Sequence, residues 1–281
     1  MRVFTTFAKA QQFREDLTKK GIPLVFVPTM GALHAGHLSL VELAKQHGAV
    51  LVSIFVNPTQ FTNAEDLEKY PRDTKGDLEK LEKMGVDAVF LPSEEEVYPV
   101  GRDALQCVST SNIFSILEGA ARPGHFEGVY TVLHRFFSAL KPDRVVFGQK
   151  DFQQTLLVKY LCQKEFFNIM VDIAPIFREP HGLAMSSRNE RLLPEDRAEA
   201  KVLYAVLCSV KSAVEKGETN VQNLLDKGRE KLLKHPKISA VHYFTLVNPE
   251  TLAEKTEAQK GDILLLSVTY AGIHLIDNLF L

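Results

Sequence analysis

Residues 25–46, VFVPTMGALHAGHLSLVELAKQ, run from an apolar stretch into an amphipathic one through a segment of small residues that carries two histidines. Pro23 to Val27 (PLVFV) has the unbroken, β-branched character of a strand buried on both faces. Leu38 to Gln46 repeats its apolar side chains at 38, 40, 41 and 44, the spacing of a helix with one face inward. If Val27 closes the strand and Leu38 sits in the first helical turn, Pro28 to His37 is the loop between them. Its backbone N–H groups and the helix dipole then point toward the carboxyl edge of a sheet, where anions collect. Gly31 and Gly36 let a ligand approach the main chain.

Outward from this segment the alternation continues. Val50 to Val56 (VLVSIFV), Val86 to Leu91 (VDAVFL), Arg144 to Phe147 (RVVF) and Ile169 to Ile176 (IMVDIAPI) read as further buried strands. Asp77 to Met84 (DLEKLEKM) reads as a helix with Leu78 and Leu81 inward, and the charge run Glu65 to Lys83 as a solvated helix face. Strand and helix in turn predict an α/β fold, a Rossmann-like parallel sheet with helices on both faces and ligands beyond the strands' carboxyl ends. From Pro194 the pattern changes. Residues 194–217 read as one helix opened by Pro194 and closed by Gly217, and Val221 to Leu233 as another. Ala240 to Val247, Ile263 to Val268 and Tyr270 to Ile276 read as short strands. The expectation is a main domain over 1–177 and a smaller C-terminal α+β domain over 178–281, with a hinge near Arg178 to Asn189.

Composition narrows the partners. The 281 residues hold 33 Lys+Arg against 35 Asp+Glu, a formal net charge of −2, so neither a nucleic-acid surface nor an acidic tail is expected. Cys107, Cys162 and Cys208 are odd in number and far apart, which argues against a disulfide framework and against a zinc site. The N-terminus, MRVFTTFAKAQQFRED, places charges and glutamines where a signal peptide carries its apolar core, and no apolar run approaches a membrane span. A soluble, unprocessed cytoplasmic protein acting on small polar molecules is the expectation.

His34 and His37 enclose neither cysteine nor carboxylate. Three readings are open from the residues alone: loop histidines bonded to backbone, two of the ligands of a metal, or donors to a phosphate. No GxxxxGK[ST] or GxGxxG occurs, so the usual glycine-lysine cradle is absent and imidazole could take its place. HAGH between a strand and a helix resembles the HxGH signature of the nucleotidyltransferase superfamily that includes class I aminoacyl-tRNA synthetases. MSSR, Met185 to Arg188, resembles the late KMSKS-like loop of the same superfamily, which closes on a triphosphate.

Six stretches narrow the match: VPTMGALHAGHLSLV, IFVNPTQF, YPRD, RPGHFEGV, FGQKDFQQ and GLAMSSRN. In order and spacing they resemble the pantothenate synthetase family over nearly the whole chain, with no signature after about Asn189. The resemblance implies an ATP-dependent ligase that joins pantoate to β-alanine through a pantoyl adenylate, releasing pyrophosphate and AMP. It implies that His34 and His37 face the phosphates of ATP, with His37 as proton donor, and that Met30, Gly31, Ala32, Leu33, Ala35 and Gly36 line the same nucleotide loop. Gly148, Gln149, Lys150 and Asp151 are implied as a second nucleotide-binding turn, with Lys150 catalytic and Asp151 suited to Mg²⁺ or to the nucleotide's polar groups. Phe177 is implied at adenine through its backbone, and Met185, Ser186, Ser187 and Arg188 at the triphosphate. The segment MSSRN also suits a helix cap, and both roles can hold. Gln60 and Gln154 are implied as pantoate ligands; Asn57, Arg122 and His125 are second-rank candidates, Arg122 to bind a carboxylate or support the site, His125 for a site role or a structural one. Ala35 and Gln149 depart from residues common in that family, which bears on affinity and not on the reaction. A homodimer is a further implication. The competing reading is a simple HxGH nucleotidyltransferase, which stops at nucleotide transfer.

Overall fold

The computed structural model describes residues 1–102 and 112–281. It divides into two compact units, Met1–Gln149 with Gln153–Pro175, and Lys150–Phe152 with Ile176–Leu281. Cys107 lies outside the described residues.

The first unit carries six parallel strands: β1 (Arg2–Phe4), β2 (Leu24–Thr29), β3 (Ala49–Ile54), β4 (Ala88–Phe90), β5 (Arg144–Gly148) and β6 (Met170–Ala174), in the order β1-β4-β3-β2-β5-β6. The α/β expectation is borne out, and every strand expected in this part of the chain is present. The edge strand β1 is additional; three residues with an arginine among them leave no apolar run to recognise. Alternate side chains of the central strands enter two different cores, as the strand period of two requires. Phe26, Leu51, Phe90 and Phe147 join the helices Phe7–Lys19, His125–Leu140 and Phe152–Glu165 on one face. Val25, Val27, Val50, Val52 and Val146 join the helices Ala35–Lys45 and Thr74–Lys83 on the other. In the first core, Phe136 meets the rings of Phe26, Phe90, Phe7 and Phe55 at 5.7, 5.8, 6.1 and 6.2 Å.

Helix His125–Leu140 is absent from the sequence expectation. Its polar residues Glu127, Thr131, His134, Arg135 and Ser138 recur at spacings of three and four, so the helical period is legible along one face even though eleven of its sixteen residues are buried. Its stop is encoded as well: Lys141 adopts φ 46° and is followed by Pro142.

Strand order decides where ligands gather. The chain leaves β2 toward β3 on one side and leaves β5 toward β6 on the other, so the crevice outside the carboxyl ends of β2 and β5 is a topological switch point. Thr29 and Gly148 end these strands.

The second unit is built on an antiparallel sheet β7-β8-β9 (Ile238–Val247, Ile263–Tyr270, Ile273–Phe280) with the helices Val202–Glu215 and Val221–Leu233. Ala271 (φ 47°) and Gly272 (φ 75°) form the two-residue turn that ends β8 and starts β9, a backbone that matches strand twist. Helix Val221–Leu233 starts and ends where its periodicity places it. The expected single helix over 194–217 is instead two, Pro194–Glu199 and Val202–Glu215, interrupted at Ala200–Lys201. Asp196 in the first piece is buried and meets Lys237 at 2.9 Å, a tertiary demand that local propensity does not carry.

Candidate active site

The histidine loop is shorter than its flanking patterns imply. β2 continues through Pro28 and Thr29, and the helix begins at Ala35 with His34 as its N-cap residue, so the connection is Met30–His34 and His37 lies within the first turn. Gly31 (φ 79°) and Ala32 (φ 50°) turn the chain through consecutive left-handed conformations. Thr29 holds the start of this turn: its hydroxyl donates to the Ser53 carbonyl at 2.6 Å and accepts from the Gly31 N–H at 3.2 Å.

His34 and His37 come together. Their ring centroids are 4.0 Å apart with an interplanar angle of 33°. The His34 N–H donates to His37 Nδ1 at 3.3 Å, which leaves the ring proton of neutral His37 on Nε2 as a donor. Two imidazoles therefore sit at the start of an eleven-residue helix whose first N–H groups lack intrahelical acceptors. Such an arrangement supplies hydrogen-bond donors and positive potential to an anion. Among the described residues no group of three or more His, Cys, Asp and Glu is gathered for a metal, so the imidazole pair is not part of a metal cluster there.

The residue that fixes this loop was legible only as part of a charged helix. Asp77, on helix Thr74–Lys83, is 1 % exposed and its carboxylate accepts the N–H groups of Ala32 at 2.8 Å and Leu33 at 2.7 Å. Lys80, one turn on, donates to the Leu33 carbonyl at 2.8 Å and lies 3.6 Å from the same carboxylate. The reading of Glu65 to Lys83 as a solvated face therefore fails at Asp77, which is buried along with Leu81. Its three-residue spacing to Lys80 was visible; its target on the histidine loop was not.

Gln60 lies in a second polar cluster of the same unit, in the turn Pro58–Gln60 after β3. Its Oε1 accepts from Asn57 Nδ2 at 2.9 Å, and Asn57 Oδ1 accepts from the Tyr98 hydroxyl at 2.6 Å. The Gln60 carbonyl is 2.9 Å from His125 Nδ1 and accepts from Arg122 at 3.2 Å. Arg122 and His125 thus hold the main chain of Gln60. Gly128 lets the helix press against this turn, because a Cβ there would lie 2.4 Å from the Thr59 carbonyl oxygen. Of the two glutamines that end FGQKDFQQ, Gln153 is buried, accepting from the Glu118 N–H at 3.1 Å and donating to the Ile116 carbonyl at 3.0 Å. Gln154 is only partly buried.

At the end of β5, a Cβ added at Gly148 would lie 3.8 Å from Leu40 on the histidine helix, and the Gln149 N–H donates to the Ala174 carbonyl at 2.8 Å. Lys150, Asp151, Phe177 and Met185–Arg188 belong to the second unit. Lys150 Nζ is 3.6 Å from Asp151 Oδ1, the lysine side chain 17 % and the aspartate 52 % exposed. Phe177 begins a tight excursion closed by the Met185 N–H donating to the Phe177 carbonyl at 3.0 Å. Ser186 caps the 3-10 turn Ser187–Arg191, its hydroxyl accepting from the Arg188 N–H at 3.3 Å.

The Pantoate-beta-alanine ligase family model matches residues 2–280. Pantothenate synthetase of Herpetosiphon aurantiacus is 43 % identical over 281 residues, covering 99 % of both chains. That of Dehalococcoides mccartyi is 43 % identical over 260 residues, 92 % of this chain and 96 % of its own. Among solved structures, pantothenate synthetase from Thermus thermophilus aligns with a TM-score of 0.92 at 40 % identity, covering 100 % of this chain and 99 % of that one. Pantoate-beta-alanine ligase from Francisella tularensis, complexed with beta-gamma ATP and beta-alanine, aligns with a TM-score of 0.81 at 34 % identity, covering 100 % and 97 %. These matches support the ligase over the simple nucleotidyltransferase.

Proposed function

The chain belongs to the pantoate-beta-alanine ligase family, and from that premise we propose how its residues divide the two steps of ATP-dependent condensation of pantoate with β-alanine. In the first, a carboxylate oxygen of pantoate attacks the α-phosphorus of ATP. The bond from that phosphorus to the pyrophosphate oxygen breaks, and pyrophosphate leaves with the electron pair. In the second, the amine of β-alanine attacks the acyl carbon of the pantoyl adenylate, the bond to AMP breaks, and the amine gives up a proton.

The observation that carries the assignment is the stacked imidazole pair at the switch-point helix. Phosphoryl transfer asks the protein chiefly for positioning and for stabilisation of developing charge. His37, through Nε2–H, and His34 are assigned to the triphosphate, with Met30, Gly31, Ala32, Leu33, Ala35 and Gly36 along it. Lys150 adds a mobile point charge. Gly148 and Gln149 line the same nucleotide, and Ser186, Ser187 and Arg188 with Met185 supply further contacts. Phe177 meets adenine through its backbone. Gln60 and Gln154 hold pantoate, since a neutral amide offers donor and acceptor without pairing a full charge. In this reading Lys150, Asp151, Phe177 and Met185–Arg188 come from the second unit and the other assigned residues from the first.

Mg²⁺ is assigned to arrive with ATP, where it neutralises phosphate charge. A cation that retains several waters and takes one or two carboxylates needs no protein cage. The exposed Asp151 carboxylate suits that mode, and the donor set among the described residues, without a gathered cluster, fits it. The working form proposed is a cytoplasmic homodimer, whose oligomeric state light scattering on the purified protein checks.

The deciding experiment is pantoate-dependent exchange of labelled pyrophosphate into ATP. Exchange without β-alanine, and net AMP release only with it, is expected. Sustained AMP release in the absence of any amine would contradict the ligase.

A further inference from the structure

Residues 150–152 belong to the second unit although Gln149 and Gln153 on either side belong to the first. Two side chains of β9 account for this. Asn278 Nδ2 donates to the Lys150 carbonyl at 3.0 Å, and the Phe280 ring meets the Phe152 ring edge-on at 5.9 Å. Being two apart on a strand, 278 and 280 face the same way.

Asn278 is 2 % exposed and is itself held by its neighbour. Its N–H donates to Asp277 Oδ1 at 2.7 Å. The Asp277 carboxylate, 3 % exposed, takes both arms of the Arg178 guanidinium, at 2.6 and 2.8 Å. Arg178 also donates to the carbonyls of Asn278 at 3.2 Å and Gly182 at 3.1 Å, and lies 3.8 Å over the Tyr204 ring. This arginine directly follows Phe177 and bridges to Ala184, the residue before Met185. One buried pair on β9 therefore holds both the Lys150 main chain and the base of the Phe177–Arg188 segment.

Stability alone does not account for this arrangement. A buried ion pair is served as well by apolar residues of similar volume, whereas a two-pronged guanidinium–carboxylate fork fixes two planes against each other. Lysine places its charge at the end of a flexible stem, so the accuracy of Nζ depends on the main chain from which it starts. We propose that Asp277 and Asn278 are positioning residues for the adenylation step, setting the Lys150 main chain and the Phe177–Arg188 segment in one frame. The proposal rests on the assignment of Lys150 to the triphosphate.

The test is a double-mutant cycle on the full chain, Lys150→Ala, Asn278→Ala and both together, read by pantoate-dependent pyrophosphate–ATP exchange with circular dichroism as the check of folding. Lys150→Ala should slow exchange about a hundredfold. Asn278→Ala should lower the maximal rate by about tenfold or more, as misplacement of a reacting group does, with the pantoate KM moved less than about twofold. In the Lys150→Ala background the Asn278 change should cost almost nothing, because its effect passes through the lysine. Losses that multiply would overturn the proposal, as would wild-type exchange by folded Asn278→Ala. A wild-type rate for Lys150→Ala would instead overturn the assignment of Lys150. Should alanine at 278 unfold the chain, Asn278→Ser is read in the same cycle by the same criteria.

Discussion

Replacing Asp77 by alanine should disable the histidine loop while leaving both cores folded. The carboxylate is the acceptor for two buried N–H groups, those of Ala32 and Leu33, at 2.8 and 2.7 Å. The loop it holds contains an alanine at φ 50°, a conformation that costs an L-residue about 1–2 kcal/mol. Each buried N–H left without an acceptor costs about 1–3 kcal/mol, so the two together come to roughly 2–6 kcal/mol. The loop escapes part of this by leaving its native shape. A loss of about 3 kcal/mol specific to that shape lowers the competent fraction by roughly a hundredfold, since about 1.4 kcal/mol is a factor of ten. Asp77→Asn keeps one acceptor oxygen and should lose about half as much free energy, roughly tenfold in rate. Pantoate-dependent pyrophosphate exchange measures the loss, with melting curves recorded on the same samples. A folded Asp77→Ala protein exchanging at the wild-type rate would refute the reasoning, and equal losses for Ala and Asn would refute the count of acceptors.

His37→Ala should slow adenylate formation by about a hundredfold or more, the cost of one lost donor to developing charge, while calorimetry finds pantoate binding little changed; an unaltered single-turnover rate removes the residue from the chemistry. Gly128→Ala puts a Cβ 2.4 Å from the Thr59 carbonyl and 2.6 Å from the Gln60 nitrogen, so it should displace the Gln60 turn at a cost of about 1–3 kcal/mol. A raised KM for pantoate with ATP unaffected is the expected signature, and equal changes in both would argue for general unfolding. Burial pushes the Cys162 thiol up to about 11, above the ordinary value of about 8.5 for an unfolded chain. Its contribution to stability is therefore intact below about pH 8.5 and is lost as pH rises toward 11, by up to about 3 kcal/mol. Cys162→Ala should flatten the fall of melting temperature between those pH values; identical slopes would contradict it.

Much of the site was readable because its chemistry is local. Small residues between a buried strand and an amphipathic helix place two imidazoles at a helix start, and that follows from residues within one short window. The boundaries moved inward because Pro28 and Thr29 pair with Ser53 and Ile54, a ladder that sequence neighbours do not encode. Gln60 was expected at pantoate by resemblance and its bond to Asn57 is local, whereas its contacts with Arg122 and His125 cross 62 and 65 residues of chain.

By itself the sequence determined the alternation of buried strands with amphipathic helices, the change of architecture in the last third, and the short histidine and serine motifs. Periodicity and turn chemistry act within a few residues, so they survive in one dimension. Tertiary structure alone decided that Asp77 is an internal anchor, that β2 and β5 are neighbours, and that Asn278, held by Asp277, reaches Lys150. A buried carboxylate and a solvated one look alike along a helix, because the partner that makes burial tolerable comes from elsewhere in the chain.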